Sequence, residues 1–335
     1  MRILFIGGTG NISTDSASLL SGQGHELTFL TRGRAPVPKN YRSLQADRKD
    51  AASMRKALRD ERPDAVLNFL GYELEDVQLD FDLFNGRVGQ YVFISSASVY
   101  AKPPPRLPIT EDMPLENPWW EYSRKKISCE EWLQRQWVEK RFPVTIVRPS
   151  HTYSRLWVPN PVSSASYTFA SRLEQGKPVF VPNDGESLWT LTSSKDFAVG
   201  FAGLVGNSST LGEAFHITSD EALTWNQIVA EIAAAVGAHR PEVVKVPVEV
   251  ICRAAPHLTG TLKGDKAHNG VFDNSKLKRF VPGFECRIPF REGVRESVAW
   301  LRAHPEKQNL NPQVDATCDA VIAEWRKLEA TCPPG

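Results

Sequence analysis

Residues 2–13 read RILFIGGTGNIS, an apolar run that passes directly into a glycine-rich turn. The apolar half is typical of a buried parallel strand. The pattern further along predicts a helix over residues 14–22 and a second strand over residues 26–30. Glycines in such a unit let backbone N–H groups approach a pyrophosphate at the amino terminus of the helix. The stretch therefore predicts a βαβ unit that binds a dinucleotide.

The glycines in this turn follow the spacing Gly7-x-x-Gly10-x-x-Ser13. Ser13 replaces the third glycine, which usually allows the helix to pack closely on the strand. The alternative interpretation is a tight turn without a ligand. The strand and helix on either side of the turn favour the dinucleotide site over that alternative.

A second informative pair is Tyr122 and Lys126, which stand four residues apart in a segment that reads as a helix. Residues at this spacing share a helix face. A cation beside a phenol stabilises the phenolate and lowers a pKa that is ordinarily about 10. Such a tyrosine can act as a general acid or base near neutral pH. The spacing alone also occurs in ordinary surface pairs.

Composition sets the broad class of the chain. The 335 residues are 41% hydrophobic and 24% charged, as expected for one large α/β domain with a smaller lobe. No apolar run reaches the ~18 residues of a membrane span, and the apolar start breaks at Gly7-Gly8, so we interpret it as a strand rather than a secretion signal. Five scattered cysteines without metal-ligand spacing predict a reduced, cytoplasmic setting and no metal site.

The charge is unevenly distributed, although the net charge is only +1. Residues 31–60 hold nine Lys or Arg against three Asp or Glu. Such a stretch can be an electrostatic footprint for nucleic acid. We favour a solvated face with a clamp for a cofactor phosphate, because a nucleic-acid binder more often has a basic domain and exposed aromatic residues. Nucleic acid is therefore not the expected partner.

Together the two motifs resemble the extended branch of the short-chain dehydrogenase/reductase superfamily, the NAD(P)-dependent epimerase/dehydratase family. Further segments match that branch in order, and the resemblance covers roughly residues 1–303; the matching segments are 64–71, 91–100, 144–153, 195–198 and 215–218. The resemblance implies an α/β fold, a Rossmann doubly wound parallel sheet with a smaller, interleaved C-terminal substrate lobe.

The same resemblance implies how the chain is divided. Residues 1–150 with 187–217 would form the dinucleotide-binding domain. Residues 151–186 with 218–305 would form the substrate lobe. Residues 306–335 fit the family less well and are expected to be a C-terminal helix and tail, with the helix over residues 321–328.

The resemblance also assigns a catalytic set. Tyr122 would exchange the proton of a substrate hydroxyl, Lys126 would hold the nicotinamide ribose and the charge of Tyr122, and Ser96 would hold the substrate oxygen. Ser95 and Ser98 compete with Ser96 for that role. Redox-based epimerisation results if the transient ketone rotates within the site before the hydride returns to it. Net oxidation or reduction results if the ketone leaves.

Cofactor contacts are expected along the carboxyl ends of the strands, where open α/β sheets bind their ligands. The second strand ends at Thr31-Arg32-Gly33-Arg34 without the carboxylate that holds the ribose of NAD, so NADP is the expected cofactor and NAD the alternative. The residues assigned to cofactor binding are Gly7, Thr9, Gly10, Asn11, Ile12, Arg32, Asp47, Arg48, Leu70, Gly71, Ser95, Pro149 and Ser150.

The sequence says less about substrate binding than about cofactor binding. Its predicted residues are Ser98, His151, Tyr153 and Trp189. Sugar 4,6-dehydratases of this branch carry Asp-Glu after the catalytic hydroxyl, whereas this chain has Ala97-Ser98, which argues against dehydration.

Trp189 stands where many nucleotide-sugar enzymes of this branch place an arginine that grips a diphosphate. Arg155 or Arg172 would have to replace that arginine, or the substrate has no diphosphate. Trp119, Trp120 and Trp157 are candidate wall residues, with packing as the favoured role.

A narrower resemblance connects residues 30–36, 46–50 and 176–183 with the chloroplast stem-loop RNA-binding proteins and their bacterial relatives. The plant proteins lack the Tyr-x-x-x-Lys pair that this chain keeps, which favours a working enzyme. We therefore expect an epimerase of a sugar or nucleotide sugar, with a homodimer as a possible assembly. The alternatives are a ketoreductase and an RNA-binding protein with a vestigial cofactor site.

Overall fold

The computed structural model describes residues 1–34, 36–162 and 165–331. Cys332 and the Pro-Pro-Gly end lie outside the described residues. The strands are β1 Arg2–Ile6, β2 Glu26–Thr31, β3 Arg42–Gln45, β4 Ala65–Asn68, β5 Gln90–Ile94, β6 Val144–Pro149, β7 His151–Tyr153, β8 Val179–Pro182, β9 Leu188–Trp189, β10 Leu191–Ser193, β11 Ala214–Ile217, β12 Leu223–Thr224 and β13 Val243–Val246. The helices are α1 Ser13–Gly22, α2 Ala51–Leu58, α3 Leu74–Phe84, α4 Glu121–Lys140, α5 Thr168–Glu174, α6 Ser194–Leu204, α7 Trp225–Val236, α8 Val248–Ala254, α9 Thr259–Thr261, α10 Ser275–Phe280, α11 Phe290–Ala303 and α12 Pro312–Thr331.

A parallel sheet lies at the centre of the described molecule, with seven strands in the order β11-β6-β5-β4-β1-β2-β3. β1 is flanked on both sides, since Phe5 pairs with Phe29 on β2 and with Leu67 on β4. The order reverses direction at β1, as it does in a doubly wound sheet. The predicted fold class is therefore confirmed.

Helices cover both faces of this sheet, and the alternation along β1 shows why. Ile3 and Phe5 pack with residues of α1 and α6, whereas Leu4 and Ile6 pack with residues of α2, α3 and α4. A strand that is buried on both faces must be apolar at every position. The run of residues 3–6 meets that requirement.

A second core lies under the smaller lobe. It is built from α5, α7, α11, α12 and the short parallel pair β8–β13, around large side chains such as Trp225 and Phe290. α12 packs on α5, α8 and β8 and is longer than the helix predicted over residues 321–328. The division of the chain into a dinucleotide domain and a substrate lobe stays a prediction.

Side chains cap the amino termini of two helices. Asp50 accepts hydrogen bonds from the N–H groups of Ala52 and Ser53 at the start of α2. Thr224 caps α7 and forms a reciprocal capping box with Gln227. Both helices therefore begin where the chain itself satisfies their free N–H groups.

Candidate functional site

A cavity of about 790 Å³ opens along the carboxyl ends of the parallel strands. Its volume is within the range of small-molecule sites, roughly 300–1,000 Å³. All but two of the predicted site residues line it. Those lining residues are Gly7, Thr9, Gly10, Asn11, Ile12, Arg32, Asp47, Arg48, Leu70, Ser95, Ser96, Ser98, Tyr122, Lys126, Pro149, Ser150, His151 and Trp189.

The glycine turn forms one end of the cavity. Gly7 and Gly8 have φ values of 95° and 109°, which favour glycine. A methyl group at Gly8 would overlap the Phe29 ring, and one at Gly7 would come within 2.9 Å of Leu70. A methyl group at Gly10 would meet only the Ser13 hydroxyl, at 3.6 Å. Gly8 is therefore required by the protein's own packing, whereas Gly10 leaves space on the cavity side.

Among the buried polar atoms of the cavity wall, Asn11 Oδ1 and Ser95 Oγ have no hydrogen-bond partner within the described protein groups. The other end of the Asn11 amide donates to the Thr152 carbonyl at 2.8 Å, so its orientation is held. Buried polar atoms normally have a hydrogen-bond partner. Together with the open space at Gly10, these atoms fit a polar ligand such as a dinucleotide.

Tyr122 lies in the first turn of α4 and shares a hydrogen bond with Ser96, which follows β5. Ser98 Oγ lies 2.9 Å from Ser96 Oγ and accepts a hydrogen bond from Ser123 at 2.7 Å. Among the three competing serines, Ser96 is thus the one in contact with the phenol. Ser98 holds the Ser96 hydroxyl in place through the 2.9 Å contact between the two hydroxyls.

Lys126 is buried and held in place by two short hydrogen bonds. Its ammonium donates to the carbonyls of Gly71 and Ile94, each at 2.6 Å. Gly71, a predicted cofactor residue, therefore does not line the cavity but anchors Lys126. Burial lowers the pKa of Lys126 to about 8.

The predicted lowering of the Tyr122 pKa is wrong for the protein alone. Burial raises the pKa of Tyr122 above its ordinary value, the Tyr72 hydroxyl adds to the rise, and the Ser96 hydrogen bond opposes it. Lys126 Nζ lies 5.8 Å from the Tyr122 ring centroid and is itself desolvated. Tyr122 therefore keeps its proton at neutral pH.

Arg48 borders the cavity, but its guanidinium is used within the protein. It forms an ion pair with Asp80 and donates to the Asp76 carbonyl at 2.7 Å, and it is 6% exposed. Asp80 also accepts from Asn68 at 2.7 Å. The predicted cofactor role of Arg48 is therefore replaced by a buried structural one.

Arg32 and Arg34, after β2, are exposed and line the cavity. Within the described residues neither guanidinium has an ion-pair partner. Asp47 is also exposed, and its carboxylate accepts the Lys49 N–H at 3.0 Å. This end of the cavity thus presents uncommitted positive charge.

Aromatic side chains form the opposite wall. Trp189 is buried, donates its indole N–H to the Lys266 carbonyl at 3.1 Å, and meets the His151 ring edge to face at 6.0 Å. Burial and the charge of Lys266 hold the pKa of His151 well below its ordinary value, so the imidazole is neutral. Trp120 and Trp157 also line the cavity, contrary to the packing role favoured for them.

The structure places one predicted substrate residue, Tyr153, and both candidate diphosphate-binding arginines away from the cavity. Tyr153 is 1% exposed and packs against Phe290 outside the cavity. Arg155 lies over the Trp300 ring at 5.1 Å. Arg172 is buried in ion pairs with two carboxylates of α12, those of Asp315 and Asp319. Since neither arginine lines the cavity, neither replaces the arginine expected at Trp189.

Three charged residues that were not predicted line the cavity beside the aromatic wall, Lys102, Asp265 and Lys266. No local pattern marks them, because Lys102 lies in a proline-rich loop and the other two end a π-helix at Leu262–Lys266. No group of His, Cys, Asp and Glu in residues 1–34, 36–162 and 165–331 could hold a metal ion. Nor is any described helix long and apolar enough to cross a bilayer.

Comparison with known sequences gives one family match. Residues 3–84 and 81–217 match the NAD dependent epimerase/dehydratase family. The chloroplast stem-loop binding protein of 41 kDa b from Arabidopsis thaliana is 30% identical over 72% of this chain and 65% of its own length, so the chain spans about two thirds of that relative. The 2'-dehydrokanamycin reductase of Streptomyces kanamyceticus is 26% identical over 90% of this chain and 84% of its own length.

Solved structures share the fold. The UDP-glucose 4-epimerase of Thermus thermophilus, in complex with NAD, has a TM-score of 0.71 and 22% identity, and the match covers 91% of this chain and 100% of that one. The epimerase Mth375 of Methanothermobacter thermautotrophicus has a TM-score of 0.75 and 17% identity, with 91% and 93% covered. At such identities the likeness concerns the fold alone.

Proposed function

Because the chain belongs to the NAD dependent epimerase/dehydratase family, a family of enzymes, we propose that it is an NAD(P)-dependent epimerase. The proposed reaction takes place at a hydroxyl-bearing carbon of a sugar or nucleotide sugar and passes through a transient ketone. The observation that carries the proposal is the contact of Tyr122 with Ser96 inside the cavity, with Lys126 buried beside them.

Each residue has a proposed role in this reaction. In its phenolate form, Tyr122 takes up the hydroxyl proton as the substrate C–O bond becomes a carbonyl, and it returns that proton in the reverse step. Ser96 holds the reacting oxygen throughout. Lys126, fixed by the Gly71 and Ile94 carbonyls, orients the cofactor ribose and stabilises negative charge on Tyr122. The nicotinamide, when bound, supplies the hydride acceptor and donor.

The cavity residues also suggest how the dinucleotide would be held. The glycine turn at Gly7–Ile12 would cradle the pyrophosphate, and Asn11 Oδ1 and Ser95 Oγ would gain polar partners. Arg32 would meet the 2′-phosphate of NADP, and no carboxylate at the end of β2 would repel it. NADP is therefore the proposed cofactor, although the Thermus thermophilus structure holds NAD.

A ketoreductase is the second candidate, because Tyr122 keeps its proton at neutral pH. A protonated phenol is ready to donate to a ketone oxygen, whereas alcohol oxidation must begin from the phenolate. The Streptomyces kanamyceticus relative, a reductase by name, aligns over 90% of this chain.

RNA binding is the weaker alternative. Three of the nine basic side chains in residues 31–60 form ion pairs with carboxylates of the protein. Arg42 forms an ion pair with Glu61, Arg48 with Asp80, and Lys49 with Asp76. The remaining charge supports a phosphate clamp better than a broad nucleic-acid surface.

The first test is the cofactor content and the cofactor requirement of the purified protein. An epimerase retains its dinucleotide and turns over sugars or nucleotide sugars without any added cofactor. A ketoreductase instead consumes added NADPH in proportion to product. Salt-sensitive RNA binding without any hydride transfer would contradict both enzymatic candidates.

The second test is Tyr122→Phe. We expect kcat to fall by at least ~10²-fold with dinucleotide affinity unchanged, because only the proton-transfer group is lost. Tyr167→Phe removes a hydroxyl in the lobe core, outside the cavity, and is the matched control. An unaltered rate in Tyr122→Phe would remove the proposed mechanism.

A further inference from the structure

Lys102, Asp265 and Lys266 place three charged groups on the wall of the cavity that also holds Trp120, Trp157 and Trp189. Both lysines are only 8% exposed. The cluster lines the same cavity as Tyr122 and Ser96, and the charge of Asp265 contributes to the raised pKa of the phenol. None of the three has a role in the proposed proton and hydride transfer.

The cluster has more positive than negative charge. Lys102 Nζ lies 3.5 Å from Asp265 Oδ1 and forms an ion pair with it. Lys266 has no carboxylate within ion-pair distance in the described part of the chain, and its ammonium makes a long hydrogen bond of 3.3 Å to the Asn160 carbonyl. An ammonium group can donate three hydrogen bonds. Lys266 is therefore a buried cation in the cavity wall whose donors are not all used by the described protein groups.

Retaining such a cation is costly unless something compensates it. Burial lowers the pKa of Lys266 to about 8, and the Asp265 carboxylate offsets only part of this effect. Most Lys266 side chains are therefore still charged at neutral pH. Buried charges are normally paired, and this only partly compensated one belongs to a residue that lines a ligand-sized cavity. An anionic group on the ligand would complete the pairing.

The backbone that carries Lys266 is held rigidly. The Lys266 carbonyl accepts the indole N–H groups of both Trp189, at 3.1 Å, and Trp225, at 2.9 Å. The Gly264 carbonyl accepts from Asn117 at 2.6 Å. The segment is a π-helix, a conformation that is frequent at functional sites. The site is therefore preorganised before any ligand arrives.

Building on the proposed function, we propose that the substrate carries an anionic group, a phosphate or a carboxylate, and that the ammonium groups of Lys102 and Lys266 bind it. The two lysines then bind the anionic group, a role that Arg155 and Arg172 cannot fill because neither lines the cavity. Asp265 holds Lys102 in position and limits the positive charge of the site. Sugar phosphates, nucleotide diphosphate sugars and sugar acids all satisfy this chemistry, whereas neutral sugars do not.

The test is isothermal titration calorimetry on the full chain with NADP⁺ at saturation, so that anions cannot bind in the dinucleotide cradle. The probes are inorganic pyrophosphate, uridine diphosphate, D-glucuronate and uncharged D-glucose. We expect at least one anion to bind and glucose not to bind at the same concentration. Binding of pyrophosphate or uridine diphosphate without glucuronate identifies the anionic group as a phosphate. Binding of glucuronate alone identifies it as a carboxylate.

Variants locate the binding site. Lys266→Met should weaken anion binding at least tenfold and leave NADP⁺ binding unchanged. Lys263→Met is the matched control, because Lys263 lies over the exposed Trp119 ring and does not line the cavity. Asp265→Asn should tighten anion binding several-fold, which keeps the proposal testable if Lys266→Met folds poorly.

The outcomes separate the two proposals. NADP⁺ binding without any anion binding, or equal anion affinity in Lys266→Met and the original chain, overturns the anion site and leaves the proposed enzyme intact. If the purified protein retains no dinucleotide and binds neither NADP⁺ nor NAD⁺, the proposed function fails. The same anion titrations on the protein alone, compared between Lys266→Met and Lys263→Met, then still decide the anion site.

Discussion

At the scale of single residues, the environment of Tyr122 matters more than its spacing from Lys126. Both side chains reach the same cavity, as the i, i+4 spacing predicts. Burial nevertheless raises the pKa of the phenol and lowers that of the ammonium. Ser96 supplies the compensating hydrogen bond from within the protein.

Removing that hydrogen bond should shift the pH dependence of the reaction. In Ser96→Ala, we expect the pKa of Tyr122 to rise further, because the interaction that lowers it is lost. The alkaline rise in alcohol oxidation should move to higher pH, and kcat should fall roughly 10–100-fold. The pH–rate profile measures this shift. Ser43→Ala, which removes a hydroxyl at an exposed position, is the control. A profile that keeps its midpoint would exclude Ser96 as the partner of Tyr122.

A second residue-scale prediction concerns cofactor choice. Arg32→Glu places a carboxylate where a 2′-phosphate is expected and where a free ribose hydroxyl would find an acceptor. NADP⁺ affinity should fall by about tenfold or more, equivalent to ~1.4 kcal/mol, while NAD⁺ affinity holds or improves. Dissociation constants for both dinucleotides measure this.

The control for Arg32→Glu is Lys39→Glu, which makes the same charge change in an exposed loop outside the cavity. Lys39→Glu should alter both dinucleotide affinities only slightly. An unchanged NADP⁺ affinity in Arg32→Glu would mean that Arg32 points to solvent in the complex.

At the scale of elements, the glycine turn between β1 and α1 combines two different requirements. Gly8 is needed because its φ is positive and because Phe29 fills the space where a side chain would lie. Gly10 has neither constraint within the protein. The absence of a side chain at Gly10 therefore matters only for a ligand that approaches the backbone closely.

Alanine substitutions should separate these requirements. Gly8→Ala should lower the free energy of unfolding by at least ~1–2 kcal/mol, the usual penalty for a left-handed conformation before any overlap is counted. Gly10→Ala should leave stability nearly unchanged and weaken dinucleotide binding. Thermal melts and NADP⁺ titrations provide the two readouts. Equal dinucleotide affinity in Gly10→Ala and the original chain would argue against a pyrophosphate at this turn.

At the scale of the whole molecule, a buried hydrogen-bond chain connects the sheet to the segment before α10. Arg148 donates to the Tyr100 hydroxyl at 3.2 Å, and Tyr100 lies 3.0 Å from His216 Nδ1. His216 Nε2 lies 2.8 Å from the Asp273 carbonyl. This geometry suits a neutral imidazole that donates through Nε2 and accepts through Nδ1.

The neutral imidazole should make the protein sensitive to acid. Burial lowers the pKa of His216 from 6.5 to about 4. The unfolded chain therefore binds this proton first as pH falls, so the contribution is complete above pH 6.5 and is lost between pH 6.5 and 4. The loss is at most roughly 3 kcal/mol. Glu111, whose pKa is raised by burial, acts in the opposite sense.

Urea unfolding at pH 7.5 and pH 5 tests this expectation. His216→Gln should lose less stability between the two pH values than the original chain does, even if it is less stable at pH 7.5. His239→Gln, at an exposed position, should keep the full pH dependence. An identical pH dependence in all three proteins would contradict a neutral buried His216.

The parts of the molecule that were predicted correctly share one property, which is that neighbours along the chain produce them. The apolar residues of β1 and the glycine turn at Gly7–Gly10 each follow from a dozen residues or fewer. Backbone conformation, strand burial and helix caps are local preferences. For that reason residues 2–13, with the helix and strand that follow them, were enough to predict a βαβ unit, whereas the doubly wound sheet was predicted from the family resemblance over the longer chain.

Packing between distant segments decided the rest. Arg48 pairs with Asp80, Tyr153 turns toward Phe290, and Lys102 meets Asp265 from more than a hundred residues away. Desolvation and charge pairing depend on which groups surround a side chain in space. Neither is encoded in spacing along the chain, so the protonation of Tyr122 and the charge of the substrate wall became visible only once the chain was folded.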